Sequence, residues 1–147
     1  MAARRMMIAR PIGPEIDMIE HPNALLVHQC LQAANAGDRQ TLRALWADDI
    51  VWRVKGAGPW HGDIKGPDEI FDYLASLGEF GQVGFDTAIE DVMVSNTRAS
   101  VLCQAKAQMG DRVLDASYLM IATIIGRRVQ EIITVPIDPE RVADFWR

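Results

Sequence analysis

The sequence is poor in several things, and each shortage excludes a class of protein. Of its 147 residues only two are cysteine, Cys30 and Cys103, and three are histidine. Two distant cysteines match no zinc-ligand spacing and three scattered histidines add none, so no metal is expected. The cysteines read instead as reduced, small apolar residues of a reducing compartment. Positive charge is in deficit: 15 Lys and Arg face 20 Asp and Glu, a net charge of −5. That is the wrong sign for a domain that neutralises phosphates over a broad surface, so nucleic acid is not an expected partner. Long hydrophobic runs are missing too. No stretch approaches the ~20 apolar residues of a membrane span, and no membrane partner is expected. Near the amino terminus the apolar run Met6 to Ala9 stops at Arg10-Pro11, short of the ~7–15 apolar residues of a secretory signal. A soluble, cytoplasmic protein is the expectation.

What is present suits one compact domain. Hydrophobic residues make up 49% and charged residues 24% of the chain, and the mean hydropathy is +0.00. A typical domain holds ~100–150 residues, enough to bury a core without metal or disulfide. Pro11, Gly13 and Pro14 punctuate the beginning, so residues 1–20 read as a loosely ordered extension or dimer arm, and residues 21–147 as a single domain.

Within that domain helical signals precede strand signals, the segregation of an α+β fold. A first helix is expected over Asn23 to Ala36, stopped by Gly37, and a second over Arg39 to Trp46, capped by Asp38. The third opens with Pro67, Asp68 and Glu69, buries Ile70, Phe71, Leu74 and Leu77, and should end at Gly78. Between them Asp49 to Lys55 alternates as a strand, followed by a turn at Gly56 to Pro59 and a short piece around Trp60 and His61. Four long strand-like runs follow, at 85–94, 98–109, 113–125 and 128–135. The turns Ser95-Asn96, Gly110-Asp111 and Gly126-Arg127 that join them are short enough to force antiparallel neighbours. Strands of this length curl, and a curled sheet closed by helices makes a hollow cone. Asp138 caps a last short helix from Pro139, with Val142, Phe145 and Trp146 on one face.

Several segments, in their order and spacing, carry a resemblance. Ala36-Gly37-Asp38 leads through Leu42 and Leu45 to Ala47-Asp48-Asp49-Ile50-Val51-Trp52; then come Gly62 to Gly66-Pro67-Asp68-Glu69-Ile70, Gly126 to Glu131, and Asp138 to Phe145-Trp146. From about Asn23 to Trp146 the chain resembles the SnoaL-like and ketosteroid-isomerase-related proteins of the nuclear-transport-factor-2-like superfamily. The resemblance implies a cone-shaped α+β barrel, with three helices packed on a strongly curved, mostly antiparallel sheet and a short C-terminal helix. It also implies an apolar pocket inside the cone and a homodimer through the outer sheet face. The family's activities include ketosteroid isomerisation, polyketide cyclisation and epoxide hydrolysis, and many members have no demonstrated catalysis, so fold does not settle function.

The residues narrow the choice. In the isomerases a carboxylate base lies in the strand after the Ala-Asp-Asp motif, whereas here that stretch is Trp52-Arg53-Val54-Lys55. The isomerase oxyanion hole uses a protonated Asp and a Tyr; its Asp position falls near Tyr118, which could donate to an oxyanion or simply pack as a strand aromatic. In the epoxide hydrolases an Asp lies three residues before the aspartate that opens the last helix, and here that position is the apolar Val135. Asp115 follows Arg112 at an odd spacing that puts the two on opposite strand faces. His61, between Trp60 and Gly62, titrates near neutral pH and could carry a proton, or serve as a structural hydrogen-bonding residue. His61, Tyr118 and Asp115 are therefore the candidate catalytic residues, and Trp52, Trp60, Leu26, Cys103 and Met120 the candidate pocket lining. Trp52 fits bulk core packing equally well. No cofactor is expected. Two readings stay open: a cofactor-free isomerase or cyclase acting on a small apolar carbonyl compound, and a non-catalytic ligand-binding or dimerisation module.

Overall fold

The computed structural model describes residues 21–56, 62–80 and 85–147. The expected amino-terminal extension and the segment holding Trp60 and His61 lie outside the described residues. Helix α1 spans Pro22–Ala36. Pro22 occupies its first turn, and Nδ1 of His21 accepts the Asn23 N–H at 3.1 Å. Gly37 closes α1 with its N–H on the Ala33 and Ala34 carbonyls, and Asp38 then caps α2 (Arg39–Leu45) by accepting from the Thr41 N–H and hydroxyl. Both caps fall where the sequence puts them, because capping depends on one or two local side chains.

Trp46 does not extend α2. It adopts extended φ/ψ and begins β1 (Trp46–Val54), three residues ahead of the expected start, because its indole is drawn into the core at 2% exposure. Strand β2 is Gly62–Lys65, just after the Trp60-His61 position expected for the short piece. Helix α3 runs Gly66–Phe80 and passes through Gly78. Glycine costs a helix only ~1 kcal/mol, and position in the chain does not compel it to end one. Strands β3 (Phe85–Val94), β4 (Arg98–Met109), β5 (Arg112–Ile125) and β6 (Arg128–Pro136) follow, and α4 (Pro139–Trp146) ends the chain, capped by Asp138 as expected.

The six strands form one curved, open sheet in the order β2-β1-β6-β5-β4-β3. Four of the five pairings are antiparallel; β1 and β6 run parallel, a crossover made possible because helix α3 and four strands separate them in the chain. Register shifts interrupt three ladders, near Trp46/Val51, Ile89/Asp91 and Thr123/Ile124. Each adds local twist and bend, which is how strands of up to 14 residues curl instead of staying flat. Gly126 and Arg127 both take positive φ, the geometry of the two-residue turn that joins twisted antiparallel strands.

Helices α1, α2 and α3 pack on the concave face, burying Ala24, Val27, Leu42, Ile70 and Phe71 against Val101, Ala122 and Ile132. Asn23 ties α1 to the β3–β4 turn by donating to the Ser95 carbonyl at 2.8 Å. At the other end of the same face, Val142 and Phe145 of α4 cover Ala105, Ala107, Leu114 and Ala116. Among the described residues no helix is long and apolar enough to cross a membrane.

Gly56, just past β1, has φ 98° and stands so close to β6 that a Cβ would lie 2.7 Å from Cγ of Pro136. Gly56→Ala should therefore lose about 1–3 kcal/mol of stability in urea unfolding, combining backbone strain with a steric clash; an unchanged midpoint would show that this approach is not tight.

Candidate functional site

Strand alternation and register decide what faces the cone. On β5 the even positions Leu114, Ala116, Ala122 and Ile124 are buried, with Tyr118 and Met120 half-buried between them. Cys103 stands opposite Tyr118 and Val101 opposite Met120 on β4; Thr134 stands opposite Met120 on β6, and Trp52 lies beside Ile132 on β1. Tyr118, Met120, Cys103 and Trp52 thus share the concave face, and Leu26 faces them from α1 within the same cluster. Asp115, of opposite parity, is exposed on the outer face, where its carboxylate accepts from the Gln104 amide. The structure brings the expected pocket residues it describes together with Tyr118, and it does not bring Asp115 to them.

Two inward residues carried no special sequence signal. Thr134 is 9% exposed, and its hydroxyl accepts the Trp52 indole N–H at 2.6 Å. Tyr73 of α3 packs edge-on against Trp52 with ring centroids 5.8 Å apart. Thr134 alternates between the apolar Ile132 and Pro136, and Tyr73 follows the Ile70-Phe71 stripe, so their positions were legible while their polar role was not. Behind them Trp46 stacks on Phe71 at 5.4 Å and meets Trp52 edge-on at 6.5 Å.

The interior is electrostatically quiet. At the concave positions Ile50, Trp52, Val54, Cys103, Tyr118 and Thr134, and at the others just described, no side chain is ionised at neutral pH. Burial pushes the Tyr118 phenol up from 10.0 to about 12, with the Cys103 thiol adding to the rise. Tyr73 is shifted up as well, by burial first and then by Tyr118. Burial first, and then the Glu90 carboxylate, lifts Cys103 from 9.0 to about 11. Cys30, on α1, goes from 9.0 to about 12 through burial, partly offset by the Trp46 indole N–H. That thiol is a weak acceptor, and Nε1 of Trp46 has no nitrogen or oxygen partner among the described residues. Tyr118 is a neutral donor at neutral pH, and its hydroxyl pairs with none of the described residues. Such a group can hold a carbonyl oxygen, and it stabilises charge developing there better in an apolar site than in water.

An open cleft of about 460 Å³ lies between the start of β5 and α4, lined by Arg112, Asp138, Glu140, Arg141 and Asp144. Its guanidiniums are committed to backbone: Arg112 donates to the Phe145 and Arg147 carbonyls and Arg141 to that of Asp115. The cone remains the candidate site. On the outer face Arg53 pairs with Asp63 at 2.6 Å and with Glu131 at 2.7 Å, so the charges of β1 point away from the interior.

Helices on the concave side of a strongly bent six-stranded sheet, around a donor-bearing apolar interior, make the fold of nuclear-transport-factor-2-like proteins. Within it the chain belongs to the SnoaL-like domain family, whose model matches residues 27–147. It is 26% identical over 123 residues to Rv0034 of Mycobacterium tuberculosis, covering 82% of this chain and 93% of that protein. Among solved structures it is similar to Bal32a from a soil-derived mobile gene cassette, with a TM-score of 0.81 and 26% identity over 86% of this chain and 97% of the other. A putative SnoaL-like polyketide cyclase from Jannaschia sp. CCS1 shares the fold, with a TM-score of 0.67 and 15% identity over 88% of this chain and 92% of that one.

The raised phenol and thiols have a consequence for stability. A group whose folded pKa lies above its unfolded value contributes stability that is complete below the unfolded pKa and lost as pH climbs through the folded one. Unfolding free energy should therefore hold up to about pH 9 and fall between 9 and 12. Tyr118→Phe removes one of these groups, so urea melts of that variant should show a shallower alkaline decline.

Proposed function

We propose that the cone binds a small apolar, carbonyl-bearing molecule of steroid- or polyketide-like character, and that Tyr118 donates its hydroxyl proton in a hydrogen bond to the carbonyl oxygen. The observation that carries this reading is the Tyr118 phenol itself: half-buried on the concave face, among apolar side chains, and unpaired with any described residue. Cofactor-free isomerase- or cyclase-like acid/base chemistry follows naturally from such a donor, since polarising the carbonyl acidifies the adjacent carbon. Likeness in fold to a protein named as a putative polyketide cyclase is consistent with this reading. His61 remains a candidate to move the proton on the strength of its sequence position; Asp115, facing outward, has no part in this reading.

The bicyclic ketone 2-tetralone is a suitable probe. Tryptophan fluorescence should report saturable binding, because Trp52 stands in the interior. Tyr118→Phe should weaken that binding about 2–10-fold, the ~0.5–1.5 kcal/mol of one hydrogen bond. Absence of binding to the native chain would overturn the reading, and equal binding by the variant would remove Tyr118 from it.

The alternative reading, a dimerisation module, draws on the outer sheet face. Leu102, Leu119, Ile121, Ile133 and Val135 stand there half-buried across β4, β5 and β6, and Met93 at the edge is 47% exposed. A contiguous apolar surface of this kind on a soluble domain marks an interface. We infer that a second copy covers it, in a module that binds ligands with or without catalysis. Sedimentation should then give twice the 16.4 kDa chain mass, and Ile121→Lys should give the monomer; a monomeric native chain would refute the pairing.

A further inference from the structure

The Thr134 hydroxyl has a hydrogen to give and no acceptor to take it. Its oxygen accepts the Trp52 indole N–H at 2.6 Å, and among the described residues the hydroxyl makes no other hydrogen bond. A threonine hydroxyl carries one donor hydrogen besides its two lone pairs, so that hydrogen is unspent. Thr134 is 9% exposed, and its neighbours on the concave face, Val54 on β1 and Met120 on β5, offer nothing better than a thioether. Most buried donors in folded proteins have a partner, so one without points to a missing acceptor. Val54, Met120 and Tyr118 are themselves half-buried, and the packing thins out around the hydroxyl. The indole also decides where the hydrogen goes. It takes the lone pair facing β1, which turns the O–H away from the indole and toward the interior that Tyr118 shares. Tyr118 stands on the other side of β6, diagonal to Thr134 in the β5–β6 ladder, since its direct partner is Pro136. Diagonal positions of this kind lie roughly 7–8 Å apart. Two donors rooted so far apart, one held toward β1 and the other on β5, suit two acceptor oxygens of one molecule better than a single carbonyl.

We propose that Thr134 is a second recognition point of the cone: it donates to an acceptor oxygen at the far end of the molecule whose carbonyl Tyr118 holds, so the preferred ligand is a compact dicarbonyl compound. This inference rests on the reading that Tyr118 binds a carbonyl. Selectivity then comes from the cost of omission. A monoketone filling the same space strips water from the Thr134 hydroxyl without supplying an acceptor, and a site built this way rejects the analogue that lacks the group. The hydrophobic effect works in the other direction, because a second carbonyl makes the ligand more polar and a purely apolar cone would prefer the monoketone. Trp52 is the positioning residue. A hydroxyl that donates becomes a stronger acceptor, so a contact made at Thr134 is passed on to the indole N–H.

The test compares trans-decalin-1,5-dione with trans-1-decalone, two ketones of nearly the same shape, by calorimetric titration of the native chain. The dione should bind about 3–10-fold tighter, the worth of one hydrogen bond. Thr134→Val should bring the two ketones within about twofold of each other while leaving 1-decalone binding near its native strength, and Thr134→Ser should keep the preference. Equal native affinities, a preference that survives Thr134→Val, or one that Thr134→Ser loses would each overturn the assignment while the reading of the cone stands. A chain that binds 2-tetralone but not the dione would overturn it as well. No binding of any of the three ketones would take both down. A second readout needs only the native chain to be folded. In its proton NMR spectrum the Trp52 indole N–H, identified by its loss in Trp52→Phe, should move further downfield with the dione than with 1-decalone. Equal shifts with both ketones would mean that Thr134 does not donate to the second oxygen.

Discussion

The parallel pairing of β1 with β6 is the constraint on which the rest of the molecule depends. It joins residues 82 positions apart and seats the Trp52 indole on the Thr134 hydroxyl, a buried hydrogen bond within the ladder. Without it the four strands from β3 to β6 would be a simple meander with one face uncovered. With it, the segment from α1 through α3 is tied back across the concave side, and the sheet gains helices on the face where its apolar residues point. The bond also fixes an indole that is otherwise free to rotate, and the neighbouring rings of Tyr73 and Trp46 pack against its fixed plane. A buried N–H left without that hydroxyl would cost about 1–3 kcal/mol, so the polar pair is tied to the apolar packing around it.

The same arrangement divides the chemistry of the protein between two surfaces. Ion pairs and amide contacts such as Arg53 with Asp63 and Glu131, Gln130 with Asp49, and Asp115 with Gln104 sit on the outside. Neutral hydroxyls, thiols and indoles sit inside. Arg39 and Arg43 hold their guanidiniums 5.3 and 5.0 Å from the Phe71 ring centroid, while Trp46 stacks on the same ring. Phe71 thereby marks a boundary between water and the interior. An interior without fixed charge cannot discriminate ligands by ion pairing; shape and the placement of a few donors must do it.

Much of this was legible in the sequence, and the reasons are local. Gly37, Asp38, Asp138 and the Gly126-Arg127 turn announce themselves because each acts within a few residues. The antiparallel order of the last four strands followed from short turns, and the alternation of β5 separated Tyr118 from Asp115. What escaped was whatever depends on distant partners. Trp46 counted as a helix residue until its burial in the core made it the first residue of β1, and Gly78 looked like a stop although α3 continues through it. The missing carboxylate at Trp52 to Lys55 was plain in the sequence, but the bulge that shifts the register between Ile89 and Asp91 was not, because it is a property of the β3–β4 pairing and leaves no mark in the residues themselves.

That bulge gives β3 something like a reading frame. Upstream of it Thr87 and Ile89 match the concave Ala105 and Cys103; downstream Val92 and Val94 match Val101 and Ala99. The bulge absorbs one spare residue, so both halves keep the same face toward the helices. Removing one residue between 89 and 91 would restore strict alternation with Ile89 still opposite Cys103 and Val92 still opposite Val101. In a strand held to strict alternation the same extra residue would turn one half inside out, so the bulge is what lets β3 carry an insertion without exposing its apolar side chains.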